Sequence, residues 1–238
     1  MATAIKTVPT SVSFAPPLPT WISRSCLNIW DDNERQDWPF EVTIVPGCAL
    51  TEAERKTAFR EFKGCTSRVP EDNWSVDWIF SHGYETLFAV RGKSGRQGAT
   101  KSKITAKNLI GVVSFSRGAE WDHEIGLDED EPVPSTSDRV LHLQLEPQLI
   151  YVKPEYRGLR MGYALMHVLA DVFRSDLERC VAARPDRVDC FYEGQYHSRL
   201  GEKVGGYCVE QIELGIDVVR GWLGWLAPIG DLEVDGGM

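Results

Sequence analysis

One stretch, residues 149–164, constrains the fold more than any other part of the 238-residue sequence. Apolar residues in a strand-like run lead up to Val152, Pro154 stops the strand, and Gly158 allows a tight turn. From Met161 onward the apolar residues recur with the period of a helix. A strand that passes through a tight turn directly into a helix predicts an α/β protein whose mixed sheet carries helices on its faces.

The start of this helix, near Arg160, is suited to bind an anion. The first N–H groups of a helix have no partner within it, and the positive end of the helix dipole lies there, so a pyrophosphate fits. Arg157 adds a positive charge, and the small residues Gly162 and Ala164 leave room for a ligand. Neither the G-x-G-x-x-G pattern of dinucleotide sites nor the P-loop pattern occurs in the chain, which argues against both.

The segment Val152-Lys153-Pro154-Glu155-Tyr156-Arg157-Gly158 and the following Gly162 resemble the central signature of the GNAT superfamily of N-acetyltransferases. That signature reads V-x-P-x-x-R-G and overlaps a Q/R-x-x-G-x-G/A turn; Arg160 stands where it has its first glycine. Glu202-Lys203-Val204-Gly205 is similar to the E-K-x-G that closes a later helix of the family. The resemblance covers about residues 40 to 215. It implies a GNAT-like acyl-CoA N-acyltransferase domain over residues 39–238, preceded by an extension over residues 1–38.

The resemblance also implies a co-substrate, acetyl-CoA or another acyl-CoA, and the spacing of cysteines and histidines predicts no metal site. The backbone of Ile150 and Val152 is then expected to pair with the pantetheine arm as an added strand would. The N–H groups of residues 157–162 are expected to hold the pyrophosphate. The predicted cofactor-binding residues are Ile150, Tyr151, Val152, Arg157, Gly158, Leu159, Arg160, Met161, Gly162 and Tyr163.

Acyl transfer to an amine needs a base, because an alkyl amine has a pKa of about 10.4 and is protonated at neutral pH. Glu146 is the candidate, since some GNAT members place a catalytic glutamate at this distance before the signature arginine. The alternative is a solvated strand residue, because Pro147 interrupts the strand as an edge, a break or a bulge. His142 is the weaker substitute as base.

The departing thiolate would gain from a proton donor. Many family members have a tyrosine just before E-K-x-G, where this chain has Gly201. Tyr196 is therefore the candidate acid, with His197 as its alternative, whereas Tyr163 and Tyr207 are expected to be packing residues.

The distribution of charge favours a cationic acceptor. The net charge is -9, which argues against nucleic acid as a partner, although it also suits ordinary solubility. Residues 86–119 hold seven Lys or Arg and no acid, whereas residues 120–138 hold eight acids and no Lys or Arg. We expect Asp128-Glu129-Asp130-Glu131 to form a rim that attracts a cation; the alternative is two solvated loops.

Other features indicate a cytoplasmic protein that does not enter the membrane. Prolines interrupt residues 1–20, so no signal peptide is predicted, and no apolar stretch reaches membrane-spanning length. The six cysteines form no CxxC pair and are expected to be reduced, mostly buried thiols. The tryptophans of the extension (Trp21, Trp30 and Trp38) predict that it packs on the domain.

The remaining elements follow from periodicity and from turn residues. Strands are predicted from Phe40 to Pro46-Gly47, at 86–90 and 109–115 as a hairpin, and at 139–152, 188–192 and 207–212. Helices are predicted after a Thr51 and Glu54 capping box up to Gly64, from Arg160 to about Cys180, and at 196–204, ended by Gly205-Gly206. Trp74 and Trp78 share a face if 72–80 is helical, and 218–226 suits either a buried helix or a last strand.

We therefore expect an N-acetyltransferase that moves an acetyl or other acyl group from acetyl-CoA to a primary amine of a small molecule or to a protein lysine. The alternative is a non-catalytic acyl-CoA-binding module that binds a partner protein through its Trp-rich extension. In a third interpretation, the extension recruits the protein that is acetylated. A homodimer is left open.

Overall fold

The computed structural model describes residues 12–27, 38–63, 83–92, 103–122, 139–196, 198–223 and 229–235. Several features of interest in the sequence lie outside these ranges: Trp30, Cys65, the Trp74 and Trp78 pair, the acidic run Asp128 to Glu131, His197, and residues 224–226 of the last predicted element.

The described residues form seven strands and three α-helices. In chain order these are β1 Thr20–Ile22, β2 Val42–Pro46, α1 Glu52–Phe62, β3 Glu85–Arg91, β4 Leu109–Trp121, β5 Val140–Val152, α2 Met161–Ala182, β6 Arg187–Glu193, α3 Arg199–Leu223 and β7 Ile229–Asp235. The strands form one sheet and lie side by side in the order of the chain. Pairing is antiparallel from β1 to β5 and parallel from β5 to β7. The predicted α/β class with a mixed sheet is confirmed.

The two faces of the sheet are covered differently. Helices α2 and α3 pack together on one face, where they bury Leu141, Leu143 and Leu145 of β5. Helix α1 packs on the other face through Phe62, whose ring contacts Phe88. Among the described residues, the cluster under α1 on that face takes in Val45 of β2, β3, the start of β4 and the end of β5.

Helix α1 begins as the sequence predicts. The Thr51 hydroxyl accepts a hydrogen bond from the N–H of Glu54 at 3.3 Å, and the Glu54 carboxylate accepts one from the N–H of Thr51 at 3.0 Å. This reciprocal capping satisfies two N–H groups that the helix leaves unpaired. The helix ends at Phe62, two residues before Gly64, the predicted end.

Strand β5 contains the irregularity that Pro147 predicts. Phe115 of β4 lies opposite Pro147, whereas its neighbour Ser114 lies opposite Leu149, so Gln148 is the extra residue of a β-bulge. The bulge shifts the alternation of side chains by one residue. As a result both Leu145 and Ile150 face α2 and α3, while Tyr151 faces α1.

The helix predicted at 196–204 is confirmed from Arg199 onward, but its predicted end at Gly205-Gly206 and the strand predicted at 207–212 are wrong. Helix α3 runs without a break through Gly205-Gly206, so 207–212 is helix rather than strand, and Glu202 to Gly205 lies within the helix instead of closing one. Gly205 is buried, and a Cβ there would overlap the ring of Tyr196. The glycine therefore serves close packing and does not end the helix. Residues 218–223 belong to the same helix, as one of the two alternatives predicts.

Contacts with the described part of the extension agree with the packing that its tryptophans predict. Strand β1 pairs with β2. The buried guanidinium of Arg117 donates to the carbonyl of Ala15 at 3.0 Å and lies over the ring of Phe14. The same guanidinium pairs with Glu85 at 2.7 Å and with Asp176 at 2.6 Å. Burial raises the pKa of Asp176 to about 6, although Arg117 acts in the opposite direction.

Three cysteines, Cys180, Cys190 and Cys208, are buried free thiols, and burial raises the pKa of each to about 12. Cys26 and Cys48 are free and exposed. Of the helices in the described ranges, none has the length and apolar character needed to cross a bilayer.

Alanine at two adjacent glycines of α3 should change stability in opposite directions. Gly205→Ala is expected to destabilise the protein by about 1–3 kcal/mol, because the new methyl group overlaps the Tyr196 ring. Gly206→Ala is expected to stabilise it by about 0.4–1 kcal/mol, because Gly206 is exposed and its Cβ meets no atom within 4 Å. Urea unfolding measures both. Equal effects of the two substitutions would contradict the packing of Tyr196 against a continuous helix.

Candidate active site

The sheet opens between β5 and β6. The two strands pair from Val140 and Arg187 up to Leu145 and Tyr192, but β5 continues to Val152 while β6 ends at Glu193. In the described part of the chain, no strand pairs with residues 146–152 on the side away from β4. We call the backbone of residues 146–152 on this side the open edge.

The backbone groups of Ile150 and Val152 point toward the open edge. Paired residues of an antiparallel ladder alternate between those that exchange hydrogen bonds and those that do not. The N–H of Lys153 donates to the carbonyl of Ile110 at 2.9 Å, which places Lys153 and Tyr151 in bonding positions toward β4. Ile150 and Val152 therefore direct their N–H and carbonyl groups the other way. Consistent with this, the Val152 carbonyl accepts a hydrogen bond from Nε of Arg157 at 3.1 Å.

A tight turn leads from the open edge into α2. It is closed by bonds from the N–H of Arg157 to the carbonyl of Pro154 and from the N–H of Leu159 to the carbonyl of Tyr156, at 3.2 and 3.3 Å. Gly158 has a φ of +83°, which only glycine adopts readily. The N–H of Ala164 bonds to the carbonyl of Arg160 at 3.2 Å, so the N–H groups of residues 161–163 precede the helical ladder.

The two cations of this motif have different surroundings. The Lys153 ammonium is buried, ion-paired with Glu61 of α1, and donates to the carbonyl of Ala106 at 2.8 Å. The Arg157 side chain is exposed, lies over the ring of Tyr151, and bonds to the open edge. Lys153 therefore anchors the end of β5 to α1, and Arg157 places an exposed positive charge at the turn.

Arg160 stands in the left-handed region, with a φ of +59°, and is the residue that precedes α2. For an L-residue this conformation costs about 1–2 kcal/mol, and for glycine it does not. Arg160 therefore holds the turn in a conformation that glycine would adopt without this cost.

Several of the predicted cofactor-binding residues have side chains that pack inside the protein. Met161 is fully buried, and Leu159 and Tyr163 pack against the core. A Cβ on Gly162 would contact Val204 and Ile150 at 3.5–3.6 Å, ordinary van der Waals distances. The ring of Tyr163 meets that of Tyr207 edge to face, as expected of packing residues.

Glu146, the predicted base, lies at the start of the open edge. Its carboxylate accepts a hydrogen bond from the hydroxyl of Ser116, its partner across β4, at 2.8 Å. The residue is half-buried and shares the sheet face of Gln144 and His142. The hydroxyl fixes one carboxylate oxygen and leaves the other to receive a proton.

Tyr196, the predicted acid, lies on the opposite face of the sheet, among the residues packed under α2 and α3. Its hydroxyl contacts that of Tyr192, and burial raises the pKa of both phenols. Both therefore remain protonated at neutral pH. The structure places Glu146 and Tyr196 on opposite faces of the sheet, beside the opening between β5 and β6.

A groove of about 450 Å³ lies on the Glu146 face of the sheet, beyond the part that α1 covers. It crosses β4, β5, β6 and β7, with Gly118, Gln144, Phe191 and Glu233 in register across its floor. Four carboxylates line it and no Lys or Arg does, among the residues that the structure describes: Glu120, Glu193, Glu233 and Asp235. We call it the acidic groove; its field favours cations.

His142, the weaker candidate base, forms part of this groove. Its ring stacks on Phe191, with the ring centroids 5.3 Å apart, and its Nε2 lies 3.4 Å from the carboxylate of Asp122. That Nε2 atom is buried, and its approach to Asp122 is too poorly aligned to count as a hydrogen bond. The ring is therefore a stacked wall of the groove, four residues before Glu146 on the same strand.

In comparisons with known proteins, no family model, no curated protein and no solved structure matches the chain. The function of this site is therefore argued from the contacts described above. Within the described ranges, His, Cys, Asp and Glu side chains form no group of three or more that could hold a metal ion.

Two parts of the site are not apparent from the sequence. The acids of β7 could not be assigned to a groove, because residues 229–235 were not predicted as a strand and their register depends on β6. The contact of Trp38 with the turn, from its Nε1 to the carbonyl of Leu159, spans 121 residues of chain. Local periodicity carries no signal for either.

The variants Arg160→Gly and Arg160→Ala should differ in their free energy of unfolding, because residue 160 has a left-handed backbone conformation. Arg160→Gly is expected to be more stable than Arg160→Ala by about 0.5–1 kcal/mol, because relief of strain exceeds the added chain entropy of glycine. The order should reverse at Ser175, an exposed residue in the interior of α2, where glycine should be less stable than alanine by about 1 kcal/mol. Unfolding free energies of the four variants are compared. Alanine more stable than glycine at both sites would contradict the geometry of the turn.

Proposed function

We propose that this chain is an acyl-CoA-dependent N-acyltransferase that moves an acetyl or related acyl group to the primary amine of a cationic small molecule. The observation that carries the proposal is the open edge of β5 joined directly to the turn and the first N–H groups of α2. An extended, amide-bearing chain that ends in a pyrophosphate matches this surface along its length. Acyl-CoA has that chemistry.

The pantetheine arm contains amide groups, which can bond to an exposed strand edge as an added strand does. The N–H and carbonyl groups of Ile150 and Val152 supply this edge. Arg157 now bonds to the Val152 carbonyl, and we infer that it exchanges this neutral acceptor for a phosphate. The exchange is favourable because hydrogen bonds between charged groups are stronger than those to a neutral carbonyl.

The reaction would proceed across the opening between β5 and β6. Glu146 takes a proton from the ammonium group of the acceptor, and the neutral amine attacks the thioester carbonyl carbon. A backbone N–H of the open edge close to Glu146 stabilises the oxyanion. The tetrahedral intermediate then collapses with cleavage of the C–S bond, and the second proton that the nitrogen loses passes to the departing CoA thiolate. Ser116 holds the Glu146 carboxylate in position.

The acidic groove supports a cationic acceptor. It lies on the same face as Glu146, and Gln144 on its floor is two residues before Glu146 on β5. A ligand with several positive charges can place one amine at Glu146 and the others against the carboxylates of β6 and β7. The aromatic ring of Phe191 provides a surface for the methylene groups between the charges.

The alternative is a non-catalytic acyl-CoA-binding module, for which the contacts of Tyr196 provide some support. Its hydroxyl is engaged with Tyr192, and its ring fills the space beside Gly205. These contacts favour a structural role, and the role of Tyr196 as an acid stays a prediction. Against a partner-binding extension, Trp38 is turned inward onto the domain, although Trp21 is exposed.

Turnover of a series of amines tests the proposal. With acetyl-CoA present, thiol release should increase from propylamine to putrescine to spermidine, because the added charges meet the acidic groove. Glu146→Gln should lower kcat by about 100-fold or more, the range for loss of a general base, and leave the affinity for acetyl-CoA unchanged. The matched control Glu178→Gln, on the exposed side of α2, should behave as the unmodified protein.

Three results would argue against the enzyme. Binding of acetyl-CoA without release of thiol on any amine would favour the non-catalytic module. A Glu146→Gln variant with unchanged kcat would remove Glu146 as the base. A preference for the uncharged side chain of propylamine would remove the acidic groove as the acceptor site.

A further inference from the structure

The extension reaches into the turn that precedes α2. The indole N–H of Trp38 donates a hydrogen bond to the carbonyl of Leu159 at 2.8 Å, and the Trp38 ring packs against the main core. Two residues later, the buried ring of Phe40 meets the ring of Tyr156 edge to face, with centroids 5.8 Å apart. The segment 38–40 therefore contacts the turn at Tyr156 and at Leu159, on both sides of Gly158.

The Trp38 bond acts on the peptide group between Leu159 and Arg160. A trans peptide group is planar, and its carbonyl and N–H point in opposite directions. A bond that holds the Leu159 carbonyl on the Trp38 side therefore directs the N–H of Arg160 to the other side. This N–H is one of the groups that the resemblance assigns to the pyrophosphate.

The backbone conformation of the turn explains why a hydrogen bond from Trp38 matters. The residues on either side of Leu159 both have positive φ, at +83° for Gly158 and +59° for Arg160. Glycine at 158 allows the adjoining peptide groups other orientations at little cost, and Arg160 is strained in the one it adopts. A hydrogen bond from a rigid, packed indole selects one orientation of the peptide group between them.

We propose that Trp38 is a positioning residue for the anion-binding turn, so that the N-terminal extension is part of the acyl-CoA site. Trp38 acts through the peptide group of Leu159 and Arg160 and does not itself contact the ligand. The inference rests on the proposed function, because it takes the turn to bind the pyrophosphate of acyl-CoA. The extension then serves to position the binding site of its own domain and not to recruit a partner protein.

The test compares two ligands by calorimetric titration: acetyl-CoA, and S-acetylpantetheine, which keeps the thioester and the amide arm but lacks the pyrophosphate. Trp38→Phe keeps an aromatic ring at this position and removes the N–H donor together with the remainder of the five-membered ring. We expect it to raise the Kd of acetyl-CoA about three- to tenfold, the size of one hydrogen bond. The Kd of S-acetylpantetheine should change less than about twofold, since that ligand makes no contact with the turn.

The control is Trp21→Phe, the same substitution at an exposed tryptophan of the extension. It should leave both Kd values unchanged, and thermal unfolding should show that both variants remain folded. Unchanged binding of acetyl-CoA by Trp38→Phe would overturn the inference, as would equal weakening of both ligands, which indicates a general loss of structure. Failure of the unmodified protein to bind acetyl-CoA would instead overturn the proposed function itself, and so separates the two ideas.

Discussion

The end of pairing between β5 and β6 is the constraint on which the site depends. A strand edge without a neighbour leaves N–H and carbonyl groups that must find other partners. Here the pairing stops at Leu145 and Tyr192, and the bulge at Gln148 follows at once on β5. Glu146 and the open-edge residues Ile150 and Val152 lie on one strand, and because the bulge shifts the alternation of side chains, those of Ile150 and Val152 face α2 and α3 while that of Glu146 lies on the other face.

Glycine has two physical roles in this chain, and only one of them is visible in sequence. At Gly158 the positive φ requires a residue without a Cβ, and a turn after Pro154 is the usual place for it. At Gly205 the backbone is helical, and glycine is needed because Tyr196 packs against it. The pair Gly205-Gly206 therefore resembles a helix end in sequence and lies inside α3 in the structure.

The sequence predicted the elements whose signals are local. The capping box at Thr51, the hairpin of β3 and β4, the bulge beside Pro147 and the turn into α2 each depend on a few neighbouring residues. What it did not predict depends on contacts between distant segments. The strand β7, which carries part of the acidic groove, and the bond from Trp38 to Leu159 are of this kind. The acids expected at residues 128–131 lie outside the described residues, and the groove is lined by different ones.

The central claim is that acyl-CoA lies along the open edge and ends at the start of α2, and amide hydrogen exchange with and without acetyl-CoA tests it most directly. Slower exchange is predicted in peptides that cover residues 146–152 and 157–163, because ligand bonds replace water at the N–H groups of Ile150, Val152 and residues 161–163. Peptides from β3, whose N–H groups already pair within the sheet, should not change. Unchanged exchange in both site segments on saturation with acetyl-CoA, or protection confined to other strands, would contradict the account.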